Sequence, residues 1–158
     1  MRRLAFGVAV FVAVMAAAGC QKSGGPEAQF GDVVKDAKDW NEAAVLYDRF
    51  AAGIDDPRRL LEITEACRED WKSQSEKIPF SDALWMSCVY RLADLKTPEA
   101  INALISMGES GYYDAHMSET IADALTIIGE LAIPYLEKSK YVHKDMVIEL
   151  IRKGDRMF

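Results

Sequence analysis

The sequence predicts an all-α protein, either a short α-solenoid or an irregular bundle of about seven helices. Three observations carry this. Apolar residues recur at i, i+3, i+4 and i+7 in almost every segment beyond residue 31. Segment after segment opens on a helix-starting signature, an Asp, Ser or Thr that is twice followed by Pro. No stretch sustains the apolar–polar alternation of a half-buried strand.

Asp39-Trp40-Asn41-Glu42 reads as an N-cap with an acidic residue at N3, a variant of the capping box. Trp40, Ala43, Ala44, Tyr47 and Phe50 share one face of the helix that follows, and Gly53 ends it. Asp32 to Lys38 either extends this helix backwards or forms a separate turn. Asp56-Pro57 starts the next helix, with Asp as cap and Pro at N1, and Leu60, Ile63, Thr64, Cys67 and Trp71 as its apolar stripe. Lys72 to Pro79 is the connection. Ser81 is expected to cap a helix burying Leu84, Trp85, Cys88, Val89 and Leu92. Thr97-Pro98-Glu99 opens another, which buries Ala100, Ile101, Leu104 and Ile105 and stops near Gly108. A loop from Glu109 to Met117 follows, and Ser118 is expected to cap a helix with Ile121, Ala122, Leu125 and Ile128 inside, ended by Gly129. Leu131 to Lys138 and Val142 to Lys153 complete the set, with Gly154 closing the last. Trp40, Trp71 and Trp85 all fall on expected buried faces.

The helices also pair. Leu125-Thr126-Ile127-Ile128-Gly129-Glu130-Leu131-Ala132-Ile133-Pro134-Tyr135-Leu136 resembles the joint of a HEAT repeat: an aliphatic helix ends in an Ile-Gly turn and a second opens with Ala-aliphatic-Pro-x-Leu. The pair Ala83 to Leu95 and Thr97 to Met107 has the same layout, and places Leu92 about 33 residues before Leu125. The resemblance covers Ser81 to Gly154. It implies a HEAT-like body whose helix pairs need neighbours to bury their faces, with the last helix, Lys144 to Phe158, either closing the open end or offering a groove to a partner.

The amino-terminal end is of another kind. Arg2 and Arg3 precede an unbroken apolar or small-residue run of about 15 residues, short of the roughly 20 that span a bilayer. A basic start, an apolar run and small residues before a cysteine make a secretory signal. Ala17-Ala18-Gly19-Cys20 resembles the lipobox of bacterial lipoproteins, with Ala17 where the family usually has Leu or another aliphatic residue. The resemblance implies that residues 1–19 are removed and that Cys20 carries lipid. An A-x-A cleavage after Ala18, releasing a soluble periplasmic protein, is the other reading. Gln21 to Gln29 is polar and rich in Gly, Ser and Pro, as a tether should be, and reaches at most roughly 30 Å. Gln21 after the cysteine resembles the outer-membrane sorting signal of enterobacterial lipoproteins. The expected organisation is therefore a signal peptide over 1–19, a linker over 20–30 and a helical domain over 31–158, HEAT-like over 81–154.

Losing residues 1–19 removes two of the 19 Lys and Arg and none of the 25 Asp and Glu, moving the net charge from −6 to about −8. Nucleic-acid binding needs basic patches that neutralise phosphates, so that class is disfavoured. Three cysteines is an odd number for a secreted protein. With lipid on Cys20, Cys67 and Cys88 remain as a pair on neighbouring helices, each about ten residues from the turn near Lys77. A bridge closing that loop contributes roughly 3 kcal/mol. The alternative is two reduced thiols acting as small hydrophobes.

Chemistry is sparse. The sequence carries no G-x-S-x-G, H-E-x-x-H, C-x-x-C, P-loop or G-x-G-x-x-G motif. Asp114-x-His116 falls short of the three or four ligands a metal takes, His143 at the start of the last helix has no better case, and Glu65 with Glu69 sits among ordinary surface charges such as Arg68 and Lys72. No catalytic residue, metal site or cofactor is expected. The binding candidates are Tyr112, Tyr113, Asp114, His116 and Met117, placed where a loop between helix pairs would project; the alternative is that the tyrosines pack under their own loop. The expected function is that of a non-enzymatic adaptor: a lipoprotein on the periplasmic face of the outer membrane whose helical body binds another envelope protein. A cell-envelope hydrolase or metal-dependent enzyme, and a structural lipoprotein without a defined partner, are the alternatives.

Overall fold

The computed structural model describes residues 26–111 and 115–156. They form α1 (Pro26–Val33), α2 (Trp40–Ala52), α3 (Pro57–Ser73), α4 (Ser81–Leu95), α5 (Pro98–Glu109), α6 (Ala115–Ile128), a 3₁₀ turn (Gly129–Ala132), α7 (Ile133–Leu136) and α8 (Lys144–Lys153), with no strand among the described residues. The all-α class is as the periodicity requires.

Three helix starts follow from their caps. The Asp39 carboxylate accepts from the Glu42 amide at 3.0 Å, while Glu42 Oε2 accepts from the Lys38 amide at 2.9 Å, a capping box displaced by one residue. Asp56 accepts from Arg58 N at 3.0 Å ahead of Pro57. Thr97 Oγ1 accepts from Ala100 N at 3.2 Å ahead of Pro98. Each cap satisfies one of the four amides that a helix start leaves without an internal partner.

Elsewhere the boundaries differ from expectation, for identifiable reasons. Residues 26–30, expected as linker, open α1, and Phe30 lies in the core edge-on to Phe50 at 6.0 Å. Asp32 to Lys38 is thus the end of α1 and a separate turn. Ser81 does not cap α4: it is the first helical residue, and Phe80 occupies the cap position with φ +51° and no side-chain cap bond. Ser118 lies inside α6, which already runs from Ala115. The helix expected over 131–138 starts earlier, as a tight turn at Gly129, whose φ of +76° needs a glycine. The end of α5, by contrast, falls near Gly108 as expected, one residue on at Glu109.

The helices stack in two rows. One holds α2, α4, α6 and α8, each against the next, and the other holds α3, α5 and α7 in the same fashion. Consecutive helices also pack across the rows, α3 on α4, α4 on α5, α5 on α6 and α7 on α8. At the centre is α4, in contact with α2, α3, α5 and α6. It accordingly buries Ala83, Leu84, Trp85, Ser87, Cys88, Val89, Leu92 and Ala93, well over one face. Side-chain bonds tie the first row: Ser87 Oγ donates to Asp48 at 2.6 Å, and Tyr90 Oη donates to Asp123 at 3.3 Å. Arg91 donates to the Ile54 carbonyl at 3.1 Å and pairs with Asp55 at 2.6 Å. At the far end α8 buries Val147 and Ile148, half-buries Leu150 and Ile151 and leaves Met146 exposed, so the basic last helix lays its apolar stripe on α6.

Gly108 is small because of what lies on it. A Cβ there would fall 2.5 Å from Cε2 of Tyr141, whose ring is 2 % exposed and cannot swing aside. Replacing Gly108 by Ala should therefore destabilise the fold by about 1–3 kcal/mol, the usual cost of overpacking. Urea denaturation of the variant checks this, and a midpoint unchanged from wild type would show that Tyr141 is not held against α5.

Candidate functional site

The most distinctive local chemistry lies where α3 turns into α4. No glycine occurs between Gly53 and Gly108, so side-chain-bearing residues must make this corner. Gln74, Glu76 and Phe80 adopt φ of +49°, +50° and +51°, three of the four non-glycine residues with positive φ among the described residues. The left-handed conformation costs an L-residue about 1–2 kcal/mol, so the surroundings must impose it. Asp70 supplies the main constraint. It stands one turn beyond Cys67 on the buried side of α3, and its Oδ1 accepts from Ser75 Oγ at 2.5 Å and from the Lys77 amide at 2.9 Å. The far end is held by Tyr47, whose hydroxyl donates to the Pro79 carbonyl at 2.7 Å. Burial, with a smaller contribution from Cys67, pushes the ionisation of Tyr47 well above the usual tyrosine range, which keeps that donor protonated. Ile78 is buried between the two anchors in sequence.

The corner encloses an open cleft of about 750 Å³, lined by Asp70, Trp71, Gln74, Glu76, Ile78, Pro79, Phe80, Ser81 and Asp82. Its volume lies within the roughly 300–1,000 Å³ of ligand sites. Two tryptophans bond to residues of this corner, and Trp71 also packs against the core. Trp71 is half-buried, donates its indole N–H to Ser81 Oγ at 2.7 Å and leans on Trp85 with ring centroids 6.1 Å apart. Trp40 is 38 % exposed and donates to Asp82 Oδ2 at 2.8 Å. Of the three tryptophans expected in the core, Trp85 alone is fully buried. The hydroxyl of Ser81, expected as a helix cap, is instead the acceptor that orients Trp71. The sequence held one signal of this site, a carboxylate at position 70 in the apolar register of Cys67.

The residues picked out from sequence fare differently. Cys20, Tyr112, Tyr113 and Asp114 lie outside the described residues. His116 and Met117 belong to the first turn of α6 rather than to a loop, the one exposed and the other half-buried. His143 is exposed beside the Tyr141 ring, 5.7 Å away and edge-on. Glu65 and Glu69 both pair with Arg68, and Glu69 also with Lys72 at 3.3 Å. No group of three metal-ligating side chains occurs among the described residues, and no described helix is long and apolar enough to cross a membrane.

Cys67 and Cys88 are both fully buried, on the packed pair α3 and α4, and are free thiols in the structure. Burial pushes the Cys88 thiol up to about 12. It raises Cys67 further, with Cys88 and then Asp70 adding to the effect.

The chain matches no protein-family model, no curated protein and no solved structure.

Asp70 should be the residue on which the corner depends. Its replacement by Ala leaves the Ser75 hydroxyl and the Lys77 amide without their charged acceptor, and should cost about 2–3 kcal/mol. Hydrogen exchange at the Lys77 amide should accelerate more than exchange within α6. Equal stability and unchanged exchange would show that the corner holds itself without Asp70.

Proposed function

We propose that this protein is a non-enzymatic binding scaffold, lipid-anchored through Cys20 on the periplasmic face of the outer membrane, with a HEAT-like helical body that engages another envelope protein. The observation that carries the reading is the joining of two unlike parts: a lipobox-like Ala17-Ala18-Gly19-Cys20 and a body of helices stacked in two rows. Stacked helix pairs expose long faces whose use lies in what they contact. Val45 on α2 and Met146 on α8 are large apolar side chains left exposed, as are Leu131 in the 3₁₀ turn and Val142 in the turn before α8. Tyr112, Tyr113 and Asp114, with the exposed His116 and the half-buried Met117 of α6, remain the proposed contact residues.

In an oxidising periplasm, Cys67 and Cys88 are proposed to form a bridge, losing two protons and passing two electrons to the disulfide-forming machinery. Their burial on one packed helix pair, α3 and α4, supports the pairing.

Replacing Cys20 by Ala should abolish labelling by a radioactive fatty acid and move the protein from the membrane fraction to the soluble one. Retention on the membrane by the variant contradicts the anchor. The wild-type protein, purified from the envelope and denatured without reductant, should yield no reactive thiol at positions 67 and 88. Two reactive groups would show that the pair stays reduced.

A further inference from the structure

The cleft at the α3–α4 corner has one sign of charge. Asp70, Glu76 and Asp82 line it, and no lysine, arginine or histidine does; Lys72 and Lys77 are neighbours in sequence but not in the lining. The three carboxylates are not equivalent. Asp70 is buried and engaged by Ser75 and Lys77, so it serves the fold. Glu76 is exposed and has neither a hydrogen bond nor an ion pair among the described residues. Asp82 is exposed and holds the Trp40 indole through Oδ2. The half-charge at the amino end of α4 favours anions, but Asp82 in the first turn offsets it, and Glu76 adds a further full negative charge. Trp71 and Phe80, both half-buried, supply aromatic surface in the same cleft.

We infer that this cleft receives a lysine or arginine side chain carried on an extended segment of a partner protein. The inference rests on the scaffold reading and gives it a surface. A long basic side chain has an apolar stem, which covers an aromatic wall, and a cationic head, which is drawn to ring faces and carboxylates. The cleft exceeds what one cationic head fills. Ile78 and Pro79 add apolar wall, and Gln74 and Ser81 add polar groups within reach of a peptide backbone. Those features fit a peptide better than a free polyamine, which has no apolar side chains to place there. The acidic chain, with formal charge −6, would draw basic partners towards it before contact.

The test is a titration of the full-length protein in mild detergent, followed by tryptophan fluorescence. The probe is a capped hexapeptide with two arginines among Gly and Ala, compared with the same peptide carrying Glu in place of Arg and with spermidine. Circular dichroism first verifies that a Glu76→Gln, Asp82→Asn double variant is folded; the new amide at position 82 keeps an oxygen for Trp40. The basic peptide should give a saturable change that weakens at least about tenfold in the double variant, with the acidic peptide silent. No saturation by about 1 mM, equal binding by the acidic peptide, or equal binding by the double variant overturns the inference. Spermidine binding as tightly as the peptide overturns the assignment to a protein segment. A partner cross-linked equally to wild type and double variant overturns the cleft while leaving the scaffold standing. A failure to recover any partner with either protein counts against the scaffold itself.

Discussion

The structure depends on the burial of one helix nearly all round. α4 touches α2, α3, α5 and α6, and the other helices are placed by their contact with it or with its neighbours. A helix in that position cannot have the single apolar stripe of a surface helix. It also cannot be uniformly bulky. Ala83, Ser87 and Ala93 let neighbours come close, while Trp85, Leu84, Val89 and Leu92 fill the remaining space. Fully burying one large apolar side chain contributes about 1.5–3 kcal/mol relative to exposure, so this one helix outweighs any of the surface ion pairs, which contribute about 0–1 kcal/mol each.

Placing α4 at the centre has a consequence for how the chain reaches it. The chain leaves α3 at Ser73 and must reverse into α4 through the short connection Gln74 to Phe80, because those two helices pack side by side. Without a glycine, the corner uses left-handed Gln74, Glu76 and Phe80, and it is the anchors at Asp70 and Tyr47 that hold them there. A corner held so firmly does not collapse on its own interior. The cleft, its two exposed carboxylates and its tryptophan wall are products of the same constraint that positions α4. Fold and candidate site therefore share residues: the carboxylate of Asp70 holds the loop, and the loop presents Glu76.

Much of this is legible in the sequence and some is not, for physical reasons. The starts at Asp39, Asp56 and Thr97 are readable because capping is local chemistry between residues two or three apart. The buried stripe of α4 is readable because its five expected residues follow helical spacing, though the extra burial of Ala83, Ser87 and Ala93 reflects tertiary neighbours that spacing does not encode. Ser81 and Ser118 pass for caps for one reason: a serine before an apolar run has the same local appearance whether it precedes the helix or lies within it. Gly108 marks the end of α5 to within one residue, but the need for a small residue there is set by Tyr141, more than 30 residues away, which no local pattern shows. Trp40 passes for core because periodicity reports a face, and the end of a face can lie beyond the last neighbour. The left-handed Gln74 and Lys96 that end α3 and α4 carry no glycine or asparagine to announce them.

The central claim, that α4 is the element around which the described fold is built, is tested most directly by native-state hydrogen exchange followed residue by residue. Amides from Leu84 to Leu92 should exchange only through global unfolding, with an opening free energy equal to that from urea denaturation, and amides of α1, α2 and α8 should open at lower free energies. If the α4 amides instead exchange at a lower free energy than those of α6 or α2, the helix is not the centre of the fold, and the claim is contradicted.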